Sequence, residues 1–121
     1  MKLQLNTQET LNLFTGYGAG FVEVNKTPYT HPLLMMGEQL TPWAVAGFDA
    51  LTAEDFAALL AHAPELVLFG SGDRLRFPHP RLLAALTNQG IGVEVMDTPA
   101  ACRTYNFLMA EGRRVLAVLL V

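Results

Sequence analysis

Apolar positions change period part-way along this chain. Between residues 20 and 46 they alternate in short runs: FVEVN, THPLLMM and QLTPWAV, the last two separated by Gly37. A period of two predicts strands. The KTPY that follows the first run reads as a turn, and Pro42 pushes the third run towards a sheet edge or a bulge. Residues 20–46 therefore predict an antiparallel set. Residues 1–19, with Leu3/Leu5 and Leu11/Leu13 alternating and glycines at 16 and 18, predict an extended lead-in.

From residue 47 the period lengthens. LTAEDFAALLAHAP has a helix start: Thr52 as N-cap, Asp55 at N3, and Leu51 with Phe56 spaced as a hydrophobic staple. Pro64 ends it. LVLF (66–69) is short and continuously apolar, the mark of a strand covered on both faces. PRLLAALTNQG predicts a second helix with Pro80 at N1 and Gly90 at C′, and IGVEVM a strand. TPAACRTYNFLMAEG predicts a third helix, with Thr98 as N-cap, Pro99 at N1 and Gly112 at C′. VLAVLLV is a last buried strand of undetermined direction. Segments 70–90 and 97–113 are long enough to be helical crossovers, which would make the strands at 66–69 and 91–96 parallel. The fold class is α/β: one three-layer domain over 1–121, with a mixed, partly parallel central sheet, an N-terminal antiparallel β section and about three helices.

Composition supports a folded core. The chain is 51% hydrophobic and 16% charged, well away from the disordered range. Residues 1–72 carry two lysines against seven carboxylates, net −5. Residues 73–121 carry six arginines against four carboxylates, net +2. Guanidinium groups favour carboxylate or phosphate, but the charges are too few for a nucleic-acid surface. One cysteine, Cys102, excludes an internal disulfide and suits a reducing, cytoplasmic setting. The N-terminus does not read as a signal peptide, and no run is long enough for a membrane-spanning helix.

Candidate chemistry gathers at one sheet edge. If the two inner strands are parallel, the turn Gly70, Ser71, Gly72, Asp73, Arg74 lies beside the corner Asp97, Thr98. Open α/β sheets bind ligands in such crevices. A helix N-terminus there would offer free N–H groups, and Arg74 a bidentate cation. Neither GxxxxGK[ST] nor a GxGxxG opening a helix is present, and the sequence calls for no cofactor. His31, His62 and His79 share no spacing with one another or with Cys102, so no metal motif and no catalytic apparatus is visible; Cys102 reads as an inert core thiol. Glu94, between Val93 and Val95, points to the opposite strand face, where an ion pair with an arginine is expected.

On the third helix, Ala101, Cys102, Tyr105, Leu108 and Met109 share the inward face. Tyr105 needs a partner for its hydroxyl. Arg103, Asn106, Phe107 and Glu111 lie on or beside the outward face, and Phe107 between charges suits either packing under a neighbouring loop or an anchor in a protein interface.

The stretches LFGSGDR and GIGVEVMDTPAACRTYNFLMAEGRRV and, less specifically, TPWAV resemble a family that includes mitochondrial complex I assembly factor three and small bacterial and archaeal relatives of unknown function. The resemblance spans residues 10–121. It implies a compact α/β domain with a mixed sheet and supplies no established catalytic residues. For the mitochondrial relative it implies assembly work through protein contacts, hence a respiratory or membrane-complex subunit as partner. The leading expectation is a non-enzymatic protein-interaction or assembly-factor-like module. The alternative is a small enzyme or sensor binding an anionic metabolite at the 70–74/97–98 crevice. Homodimerisation through an edge strand is a third possibility.

Overall fold

The computed structural model describes residues 11–121. Among these residues, eight strands form two sheets. β1 (Phe14–Gly18), β2 (Phe21–Val24) and β3 (Thr27–Tyr29) make an antiparallel three-stranded sheet. β4 (Leu33–Met36), β5 (Gln39–Pro42), β6 (Leu66–Gly70), β7 (Gly92–Met96) and β8 (Val115–Leu119) make the central sheet, in the order β5-β4-β8-β6-β7. β6 is parallel to both β7 and β8, and β4 is antiparallel to β5 and β8. Chain direction at the C-terminus, open in the sequence, is thus parallel to β6 and central.

Among the described residues, three α-helices complete the fold, with a separate 3-10 turn at Phe48–Ala50. α1 (Ala53–Ala57) continues as a 3-10 turn to His62, and α2 (Ala84–Thr87) follows a 3-10 turn over Pro80–Leu83. α3 spans Thr98–Met109. Alternation along the central strands divides their side chains between two cores. Leu33, Met35, Leu66, Leu68, Val115, Ala117 and Leu119 face α3 and the small sheet. Leu34, Val67, Phe69, Leu116 and Val118 face α1, α2 and the Trp43–Phe56–Phe69 aromatic group. This is the three-layer α/β arrangement expected.

Local expectations fare unevenly. The Thr52 cap forms as read: its hydroxyl accepts from the Asp55 N–H at 3.2 Å, and the Asp55 carboxylate accepts from the Thr52 N–H at 2.9 Å. Pro42 does end an edge strand. The presumed KTPY turn is different. The reversal falls one step earlier, at Asn25 and Lys26 with φ of 49° and 74°, and Thr27–Tyr29 is itself a strand. Two consecutive left-handed residues are what a two-residue hairpin needs. The lead-in reading is corrected over its described part, since Phe14–Gly18 is β1; Leu3 and Leu5 lie outside the described residues. Residues 20–46 are not one antiparallel set, because β2 and β3 join β1 while β4 and β5 join the central sheet.

The helix-end readings shift by one. Asp97 caps α3, its carboxylate accepting from the Ala100 N–H at 2.8 Å, which moves Thr98 to N1 and Pro99 to N2. Gly90 and Gly112, both at positive φ, fall one position beyond C′.

The hydroxyl of fully buried Tyr105 accepts a 2.9 Å bond from the Gly37 N–H, tying α3 to the β4–β5 turn. Tyr105→Phe leaves that N–H unpaired and lowers unfolding free energy by about 1–2 kcal/mol, measurable as a shift in urea midpoint at unchanged m-value.

Candidate functional site

The turn after β6 and the start of α3 meet as the sequence predicts, and direct hydrogen bonds join them. The Ser71 N–H donates to the Met96 carbonyl at 2.9 Å, and the Thr98 N–H donates to the Gly72 carbonyl at 2.8 Å. The Gly72 N–H donates back to the Thr98 hydroxyl at 2.9 Å. That hydroxyl in turn donates to the Leu120 carbonyl at 2.7 Å. The ends of β6, β7 and β8 are therefore stitched together through one buried threonine.

Gly70 makes this contact possible. A Cβ there would lie 2.7 Å from Leu119 Cδ2, 2.9 Å from Thr98 Oγ1 and 3.1 Å from the Thr98 Cα. The glycine admits the first turn of α3 against the sheet rather than a phosphate against the backbone. Gly72, at φ +107°, takes the left-handed turn that returns its carbonyl to Thr98. Ser71 is also buried. Its hydroxyl donates to the Arg74 carbonyl at 2.7 Å and accepts from the Arg76 N–H at 3.0 Å, folding the loop that follows.

Two parts of the expected anion site are corrected by this geometry. The N–H groups at the start of α3 are not free: Thr98 donates to Gly72, Pro99 has none, and Ala100 donates to Asp97. Arg74 does not line the open space. That space is a cavity of about 320 Å³ displaced towards the small sheet, lined by Tyr17, Gly18 and Phe21 on one side and Gly72, Asp73 and Thr98 on the other. Among the described residues no arginine or lysine lines it, and the Asp73 carboxylate opposes an anion. Tyr17 and Phe21 were missed as lining residues. The aromatic pair bracketing a glycine turn, YGAGF, was the available sign of a hairpin tip.

Four of the six arginines are occupied within the fold. Arg76 pairs with Asp49 at 3.0 Å and lies 4.0 Å over the Phe48 ring. Arg113 reaches Glu65 at 3.5 Å, and Arg114 donates to the His62 and Ala63 carbonyls. Arg103 donates to the Tyr17 hydroxyl at 2.7 Å. Glu94 has no ion pair among the described residues, against expectation.

The outward side of α3 also divides. Asn106 works inside the fold: its Oδ1 accepts from the Phe14 N–H at 2.9 Å and its Nδ2 donates to the Phe14 carbonyl at 2.7 Å. With Arg103 it clamps β1 onto the helix. Phe107, 66% exposed, and the exposed Glu111 project away. On the inward side, burial pushes the Cys102 thiol up to about 12, against the opposing influence of Arg103.

A family described as "Protein of unknown function (DUF498/DUF598)" matches residues 14–120. The chain is 39% identical over 103 residues to NADH dehydrogenase (ubiquinone) 1 alpha subcomplex assembly factor 3 of Bos taurus, covering 84% of this chain. It spans 55% of that longer protein. It is 26% identical to the "13 kDa major membrane protein" of Francisella tularensis over 99% of both chains. A crystal structure of a Bordetella parapertussis protein superposes with a TM-score of 0.84 at 42% identity, over 92% of this chain and 96% of that one. Among the described residues, no helix is long and apolar enough to cross a membrane.

Two outcomes follow from the geometry. Thr98→Val is nearly isosteric but leaves the Gly72 N–H and the Leu120 carbonyl without their partner; unfolding free energy falls by about 2–4 kcal/mol, whereas Thr98→Ser retains most of it, as denaturant titration of the two variants would show. Cys102, as a neutral thiol, resists alkylation at pH 8 in the folded chain and reacts fully in urea. The thiol holds its proton in the fold beyond its ordinary value of 9.0, so this contribution to stability falls as pH rises from about 9 towards 12.

Proposed function

The chain belongs to the DUF498/DUF598 family of proteins of unknown function, and on that premise we propose that it is a non-enzymatic protein-interaction module of the assembly-factor kind. The observation that carries the reading is Phe107. A phenylalanine 66% exposed near the end of α3, with Arg103 one turn before it and Glu111 just past the helix end, belongs to neither core cluster. Large aromatic side chains on a rigid helix are the usual anchors of protein interfaces, with charges at the rim. Arg103 and Asn106 support that face from behind by holding β1 against the helix.

The partner we propose is a protein, in the first instance a subunit of a respiratory or membrane complex, met in the cytoplasm. The name of the bovine relative supports this direction. An anionic metabolite at residues 70–74 and 97–98 has less support. The N–H groups that would bind it are spent on the fold, and the adjacent cavity presents Asp73.

Phe107→Asp should leave thermal stability within about 0.5 kcal/mol of wild type, since the side chain is outside the core. The variant should lose the partners that wild-type chain retains in affinity capture from its own cells. Identical partner sets for the two chains would remove the α3 face from consideration.

A further inference from the structure

Two sheets present four outer strand edges, and three are guarded. On β1, Asn106 pairs with both backbone groups of Phe14. β3 is three residues long with Pro28 at its centre. On β5, the Trp43 N–H donates inward to the Pro32 carbonyl at 2.9 Å, so alternation turns Pro42 outward, where it has no N–H to offer. Proline, a side-chain cap and short length are the usual ways of blunting an edge.

β7 has none of these three, only the single exposed charge of Glu94. Its sequence, GVEVM, lacks proline and lysine. The Met96 carbonyl faces β6, where it accepts from the Ser71 N–H. In a parallel strand the N–H and C=O of one residue point the same way and alternate along the chain. Val93 and Val95 therefore turn both their groups away from β6. Among the described residues, none of these four groups has a hydrogen-bond partner. The open stretch is bounded below by Ile91, whose N–H is taken by the Leu86 carbonyl, and above by Asp97, where α3 starts. Between the two valines lies Glu94, exposed and without an ion pair among the described residues.

We propose that the β7 edge from Val93 to Val95 takes up an extended segment of a partner protein as a sixth strand, with a lysine or arginine of that segment opposite Glu94. Main-chain pairing to the two valines supplies the affinity, and the side chains opposite supply the choice of partner. A second copy of the chain does not fit. An antiparallel pair using all four outward groups sets Val93 against Val95 and Glu94 against Glu94, and like charges directly opposite are destabilising. Sliding the register to separate the carboxylates sets a valine against Ile91, whose N–H is already spent, or against Asp97, past the strand's end. This surface is separate from the Phe107 face and stands without it.

The test uses two blocked seven-residue peptides alternating valine and threonine, one with lysine at its centre and one with glutamate. They are titrated into the isotope-labelled full chain. The lysine peptide should protect the Val93 and Val95 amides from exchange and bind about tenfold tighter than the glutamate peptide. Glu94→Lys, on an exposed side chain, should reverse that preference, and Phe107→Asp should leave it unchanged. No protection of those amides at millimolar peptide would overturn the proposal. So would equal response to both peptides, or protection that grows with protein concentration alone and marks self-association.

Discussion

Thr98 sits where the ends of three parallel strands converge, and its hydroxyl accepts from the turn after β6 while donating to the chain just beyond β8. Its own N–H returns to the Gly72 carbonyl. Such a knot needs a small, doubly competent side chain on the first turn of a helix, and it needs that helix to approach the sheet within van der Waals contact. Gly70 provides the approach. Moving α3 outward by the width of a methyl group would pull Thr98 off both partners. It would also lift Ala101, Cys102 and Tyr105 from the core they help to fill. The placement of α3, and with it of β1 and the whole small sheet, depends on this contact.

That closure also uses up polar groups at the C-terminal edge of the sheet. In an open α/β sheet, backbone N–H groups left free at the strand ends and at a helix start are the common means of holding an anion. Here the groups nearest the strand ends are turned inward to one another. Among the described residues, backbone groups without a partner lie instead along the side of the central sheet, as at Val93 and Val95 of β7, while exposed Phe107 lies on the far face of α3.

Much of the architecture was legible in the residues. Continuous apolar runs at 66–69 and 115–121 announced strands covered on both faces, and the Thr52–Asp55 box announced a helix start that formed as read. The family resemblance rested on LFGSGDR and on DTPAACRTYNF, the two segments that make the Thr98 contact. Two of the misreadings come from side chains with two local uses. Asp97 and Thr98 both suit an N-cap, and only the demand of Gly72 and Leu120 for a hydroxyl assigns the cap to aspartate. Asn106 looks like an exposed helix residue until β1 arrives, 92 positions away in sequence, to take both ends of its amide.

The class of fold, the period of each element and the segments that would adjoin were written in the order of the residues. Those follow from local hydrophobic spacing and from turn and cap chemistry, which act over a few residues. Tertiary structure alone decided which polar groups were spent and which were left over. Gly70 became a packing glycine because a helix from residue 98 rests on it. Arg103 and Asn106 became clamps because the small sheet folds back on α3. Glu94 was left unpaired because β7 fell at the sheet's edge. Each of these is a property of distance in space, and no residue's neighbours in the chain record it.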